Sequence, residues 1–98
     1  MSIYKHYTIV IHKKSEKFLD TIPIEDQKKC IKKIDSLTND NYKTLNIKKL
    51  KSYKNLYRIS VDMYRIIFYP DNKELKIFIV LIGPRKHIYN KLKNLSPF

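Results

Sequence analysis

The chain has one glycine, one cysteine, no tryptophan and, among 21 basic residues, only three arginines. Each scarcity excludes something. With Gly83 alone, no glycine-rich phosphate loop can be built, which removes the nucleotide-binding fingerprints. Cys30 cannot form an internal disulfide, and one thiol is too few for a cysteine-based zinc site, so a reducing compartment is the expected setting. His6, His12 and His87 show no ligand spacing, and no metal or small-molecule cofactor is predicted. No apolar run approaches the roughly 20 residues of a membrane span. The first residues, MSIYKHYTIVIHKK, alternate and are broken by histidines where a signal peptide needs a continuous apolar stretch. The expectation is a soluble, cytoplasmic protein without a membrane partner.

Acidic residues are also few. Nine of them leave a formal net charge of +12 and a sequence pI near 9.8. On a chain this small that excess makes a nucleic acid or another polyanion the first partner class to consider, with an acidic protein second. Ninety-eight residues suffice for one domain, 1–98, burying about 60 to 70% of its unfolded surface around a single two-layer core.

What is present follows a simple order. Residues 3–11 (IYKHYTIVI) hold apolar residues on both parities and predict a strand. Ser15 offers an N-cap to a short helix carrying Phe18, Leu19 and Ile22, which Pro23 ends. A second helix begins there, with Glu25 and Asp26 in its first turn and Cys30, Ile31, Ile34 and Leu37 on one face. From Tyr42 to Lys54 the apolar residues are too sparse to separate helix from loop. Three strands are then predicted: Tyr57 to Val61, Tyr64 to Tyr69 and, after a turn at Pro70–Lys73, a strand apolar on both faces from Ile77 to Ile82. Ile88, Leu92 and Leu95 fit a short terminal helix. The fold class is α+β, two-layered: a strand, two helices across one sheet face, a three-stranded antiparallel meander and a short C-terminal helical segment.

All three arginines, Arg58, Arg65 and Arg85, fall in LYRISVDMYRIIFY and IGPRKHIY. A guanidinium grips phosphate or carboxylate with a planar fork that lysine lacks. Alternation puts Arg58 and Ser60 opposite Tyr57, Ile59 and Val61, and Arg65 opposite Tyr64, Ile66 and Phe68, so both arginines leave the parity least suited to a core. That face is expected to be open. A surface ion pair of Arg65 with Asp62 or Glu74 is the alternative to an anion site. Cys30, on an apolar stripe, reads as a buried structural residue, and Tyr57 and Tyr64 as core or rim.

These two stretches resemble the RelE/ParE toxin superfamily, whose recurring pattern is a leucine-tyrosine-arginine strand, a YRIIY-type strand and a closing isoleucine-glycine segment with an arginine and a final tyrosine. The similarity spans about Leu50 to Tyr89, and the upstream order of strand, helix and helix agrees with it. It implies the toxin of a bacterial toxin–antitoxin pair with a cognate antitoxin protein as partner. For the RelE-type branch it implies an endoribonuclease (mRNA interferase) acting on mRNA in the ribosomal A site, by metal-independent attack of a ribose 2′-OH on the adjacent phosphate. The resemblance assigns Arg65 and Arg85 as phosphate clamps, Tyr89 as the residue that stacks on or orients a base, and Arg58 as a basic contact to RNA or, alternatively, to the antitoxin. It also marks two departures. Ser60 stands where the nuclease pattern carries a lysine able to act as base, and Pro84 replaces a histidine, which leaves His87 as the nearest acid or base. Lys51 and Lys54, from the preceding loop, and Ser60 are candidate RNA contacts. A ParE-like toxin that poisons DNA gyrase, and a catalytically degenerate antitoxin-binding member, are the alternatives.

Overall fold

The structure, a computed structural model, describes residues 2–94. Its strands are β1 (Thr8–Ile11), β2 (Ile47–Lys49), β3 (Tyr57–Val61), β4 (Tyr64–Asp71) and β5 (Lys76–Pro84), and its α-helices are α1 (Lys13–Thr21), α2 (Ile24–Asp35) and α3 (Ile88–Lys93). The strands form one sheet in the order β1-β5-β4-β3-β2. β1 lies parallel to β5 and the remaining neighbours are antiparallel. The α+β class and the order strand, two helices, meander and terminal helix are as expected.

The first helix begins earlier than expected. His12 is its N-cap, its Nδ1 accepting from the Lys14 N–H at 3.1 Å, whereas Ser15 is buried one turn inside and donates to the Ile79 carbonyl at 3.3 Å. That hydrogen bond ties α1 to β5. Ile22 is extended, as a residue before proline prefers, and Pro23 caps α2. Glu25 and Asp26 at the start of α2 and Lys32 and Lys33 at its end suit the helix dipole.

α1 and α2 cover one sheet face. Ile59, Val61, Ile66, Phe68, Ile77, Ile79 and Ile82 pack there against Leu19, Cys30, Ile34 and Leu37. Tyr57 stacks on Phe68 with centroids 5.6 Å apart, and Tyr64 meets Phe18 edge-on while donating to Asp26 at 2.8 Å. Both tyrosines therefore serve the core and its rim. Ile31 does not: it is 43% exposed, because one step beyond Cys30 rotates it about 100° off the buried stripe.

The second face departs from the expectation of an open surface. Ile67, Val80 and Leu81 form a smaller core with Leu50, Leu56, Ile88 and Leu92, so α3 and the loop between β2 and β3 cover part of it. A bulge makes this possible. Ile67 pairs with Leu81 but Phe68 pairs with Ile79, leaving Val80 as the extra residue and placing Val80 and Leu81 in the same cluster.

Two further differences concern short elements. Residues 2–7 are not strand. Lys5 and Tyr7 donate back to the Ser2 and Tyr4 carbonyls at 3.3 and 2.9 Å, and the resulting turns drive the Tyr4 ring into the core beside Phe68. Ile47–Lys49, within the segment left undecided by pattern, is the edge strand β2, preceded by 3₁₀ turns at Ser36–Thr38 and Asp40–Thr44. The terminal helix runs Ile88–Lys93, and Leu95 lies outside the described residues.

Candidate anion-binding site

Register decides which basic side chains share a surface, because residues directly opposite in adjacent strands point to the same side of a sheet. Ser60 pairs with Arg65, which pairs with Gly83, and Arg58 pairs with Ile67, which pairs with Leu81. Arg58, Ser60 and Arg65 therefore stand on the face opposite α1 and α2; Arg58 borders the smaller core through Ile67, and Ser60 and Arg65 lie beyond it toward the β3–β4 hairpin.

The two guanidiniums are held differently. Arg58 Nη1 donates to Ser60 Oγ at 2.7 Å. Arg65 Nη1 donates to the carbonyls of Asp62 and Tyr64 at 3.1 and 2.9 Å, tying the side chain to the hairpin between β3 and β4. Asp62, at φ 52°, occupies the left-handed conformation that this two-residue connection requires. Neither carboxylate proposed as a partner for Arg65 reaches it: Asp62 pairs with Lys29 at 3.1 Å and Glu74 with Lys76 at 3.6 Å. Both arginines are half-buried and their contacts are to neutral oxygens, so their charge stays available to an anion. The Lys29–Asp62 contact itself raises the lysine pKa through the hydrogen bond and the attraction of the carboxylate.

Arg85 arrives by a backbone device. Its N–H donates to the Met63 carbonyl at 2.8 Å, which brings the chain leaving β5 against the β3–β4 hairpin. Pro84 remains in the strand, opposite Tyr64. The Arg85 side chain is exposed. His87, also exposed, sits at the start of α3, its N–H on the Pro84 carbonyl at 3.0 Å and its carbonyl accepting from Lys91 at 3.1 Å. Tyr89 follows in the first turn of α3, 45% exposed. The helix passes close over the strand: a Cβ on Gly83 would lie 3.1 Å from Ile88 Cδ1, so the one glycine allows this approach.

Lys51 and Lys54 lie elsewhere on the molecule. They are exposed in the loop before β3, at the opposite end of that strand from the hairpin, where Leu50 N donates to the Leu56 carbonyl at 2.9 Å and both leucines are buried. Together with Lys49, Ser52 and Tyr53 they line a cleft of about 450 Å³.

Sequence pattern missed Lys48. It lies in β2 directly opposite Arg58 and so on the arginine face. Its signal was compositional: no aspartate or glutamate occurs between Asp40 and Asp62, or anywhere after Glu74. IGPRKHIY thus holds no carboxylate, and LYRISVDMYRIIFY holds one, Asp62, which pairs with Lys29.

Among the described residues no group of histidine, cysteine, aspartate and glutamate could hold a metal ion. No helix among them is long and apolar enough to cross a membrane. Cys30 is fully buried, and burial, with Asp26 and Asp62 adding to it, pushes its thiol up to about 11, well away from a reactive thiolate.

The five-stranded sheet of this order, with two helices on one face, agrees with the RelE/ParE toxin superfamily, and the comparisons with known proteins show that membership. The chain belongs to the ParE toxin family of type II toxin–antitoxin systems (parDE), whose family model matches residues 9–89. Among solved structures it is similar to the toxin–antitoxin complex RelB–RelE from Methanococcus jannaschii, with 30% identity, a TM-score of 0.70, and 84% of this chain and 96% of that one covered. It is likewise similar to the archaeal RelE–RelB complex from Pyrococcus horikoshii, with 26% identity, a TM-score of 0.69 and coverage of 81% and 94%. The isolated E. coli RelE toxin shares the fold at 16% identity and a TM-score of 0.64, covering 89% of this chain and 95% of that one. Among curated protein sequences none matches this chain.

Proposed function

We propose that this toxin is a ribosome-dependent endoribonuclease that cleaves mRNA in the ribosomal A site, and that a cognate antitoxin protein restrains it in the cytoplasm. One observation carries the reading: Arg58 and Arg65 share one sheet face, the Arg85 backbone is held against the β3–β4 hairpin beside them, and none of the three has a carboxylate among its hydrogen bonds and ion pairs within the described residues. In the reaction a ribose 2′-oxygen loses its proton and bonds to the adjacent phosphorus. The bond from phosphorus to the 5′-oxygen then breaks, leaving a 2′,3′-cyclic phosphate and a 5′-hydroxyl. Negative charge grows on the non-bridging phosphate oxygens during this exchange. Arg65 and Arg85 stabilise it, each guanidinium offering several N–H donors and a positive charge.

Arg58 binds a neighbouring part of the RNA, with Ser60 orienting its guanidinium. Lys51 and Lys54, in the loop at the far end of β3, hold a more distant part of the strand. Tyr89 supplies a ring for an unpaired base, a contact worth about 1 to 3 kcal/mol. His87, two residues after Arg85 and exposed at the start of α3, is the candidate for the proton transfers. Support for the antitoxin comes from the RelE–RelB complexes to which the chain is similar and from the net charge of +12, which an acidic segment would neutralise.

A second reading, a toxin that poisons DNA gyrase, is favoured by the match to the ParE family model and by serine rather than lysine at position 60. Induced expression followed by mapping of transcript 5′ ends separates the two. The nuclease cuts within translated codons, whereas the gyrase poison leaves messages whole and damages DNA.

A further inference from the structure

Lys48 and Arg58 are a cross-strand pair of like charge. Their Cβ atoms, on the same face, are about 4.5 to 5.5 Å apart, and like charges placed directly opposite destabilise a sheet. The ordinary compensation is missing. No acidic residue lies between Asp40 and Asp62 in the sequence, Asp62 is engaged by Lys29, and the next residue across the sheet from Arg58 is Ile67. Arg58 donates to a neutral hydroxyl, and Lys48 is exposed and forms no ion pair among the described residues. A repulsive pair with no carboxylate directly beside it is relieved by an anion bound between its members; Asp71, on the same face of β4, is four residues along the strand from Ile67.

We propose that Lys48 and Arg58 form a second phosphate subsite, distinct from the Arg65–Arg85 clamp, which receives a backbone phosphate of the same RNA strand; this rests on the ribonuclease reading above. The spacing suits the role. Lys48 and Arg65 are two strands and two residues apart, which at about 4.8 Å per strand and 3.4 Å per residue separates their Cα atoms by about 12 Å. That is on the order of three to four nucleotides of a stacked strand at about 3.4 Å each. A substrate crossing the sheet from Arg65 toward β2 therefore meets Lys48 a few nucleotides from the bond being cut. An edge-strand lysine also discourages pairing with other chains. That role requires only an exposed charge and predicts no change in phosphate binding when the charge is removed.

The test uses the full chain, inorganic phosphate and an octanucleotide with 2′-O-methyl groups, which binds but cannot be cleaved. Phosphate titrated into the isotope-labelled toxin shifts the Lys48 and Arg58 amide resonances saturably, and Lys48→Gln abolishes the shift at Arg58. For the octanucleotide, Lys48→Gln lowers the slope of log affinity against log salt by about 0.7, the share of one phosphate on a single strand, and Lys48→Arg restores it. Identical titrations for wild type and Lys48→Gln, or an unchanged salt slope, overturn the subsite. If phosphate saturates at Lys48 and Arg58 but the octanucleotide does not bind, the anion site stands and its occupation by an RNA strand is overturned, while the ribonuclease reading is decided by cleavage on ribosomes. If wild type binds the octanucleotide with a slope insensitive to Lys48→Gln, the subsite falls and the ribonuclease reading stands.

Discussion

Arg65 on β4 stands opposite Ser60 on β3, and each is linked to an arginine: Ser60 accepts a hydrogen bond from Arg58, while Arg65 shares the β3–β4 hairpin with the backbone of Arg85. The serine thus acts as a spacer that receives one guanidinium and sits beside another. Ser60→Ala removes only this acceptor. The expected result is a change in stability within about 0.5 kcal/mol, as for surface sites, and a loss of cleavage below about tenfold. A loss comparable to that from removing Arg65, measured by the same cleavage assay, would make the hydroxyl a chemical participant.

Gly83→Ala should loosen the terminal helix. The new Cβ would sit 3.1 Å from Ile88 Cδ1, so α3 must move by a few tenths of an ångström or Ile88 must leave its preferred rotamer. Overpacking of this kind costs about 1 to 3 kcal/mol, readable as a fall in denaturation midpoint. Amide exchange should rise in Ile88–Lys93 and remain unchanged in α2.

Much of the fold was legible because alternation and burial coincide. Tyr57, Ile59 and Val61 face the main core as their spacing predicts, and the doubly apolar run from Ile77 to Ile82 is an interior strand with both faces covered. Where prediction failed, the responsible physics was not periodic. Tyr4 reaches the core from a turn rather than from a strand, and β2 is three residues long with one half-buried side chain, too short to display a period. Cover for the second face came from residues far apart in sequence, Leu50, Leu56, Ile88 and Leu92, which no local window joins. The shared face of Arg58 and Arg65 could be read from parity. Lys48 could not be placed beside Arg58 until the register of β2 was known.

Leu75 carries backbone strain without an evident functional role. Its φ of 53° is left-handed, which costs a residue with a Cβ roughly 1 to 2 kcal/mol, and its side chain is 45% exposed. Leu75→Asn, which tolerates this conformation, should stabilise the toxin by about 0.5 to 1 kcal/mol in a denaturant titration without altering cleavage. A destabilisation would show that the leucine side chain contributes more than its backbone costs.

Alkaline stability should fall in a defined window. Burial, reinforced by Tyr42, Tyr57 and Tyr7, pushes the Tyr4 hydroxyl up to about 12 from 10.0. The folded state therefore holds a proton that the unfolded chain releases first. This contribution is complete below pH 10 and is lost as the pH rises from 10 to 12. Tyr4→Phe, which has no proton to lose, should show a shallower decline in melting temperature over that window. Equal declines would assign the effect to other groups.

The most direct measurement is cleavage of a defined message on purified translating ribosomes, with products resolved by primer extension and end-group analysis. Wild-type toxin should cut within the A-site codon and leave 2′,3′-cyclic phosphate and 5′-hydroxyl ends. Arg65→Ala and Arg85→Ala should each slow cutting by about 10² to 10³, the effect of removing one donor to a developing oxyanion, while retaining the wild-type melting profile. Undiminished cutting by both variants, or an intact message with wild-type toxin, would contradict the arginine clamp.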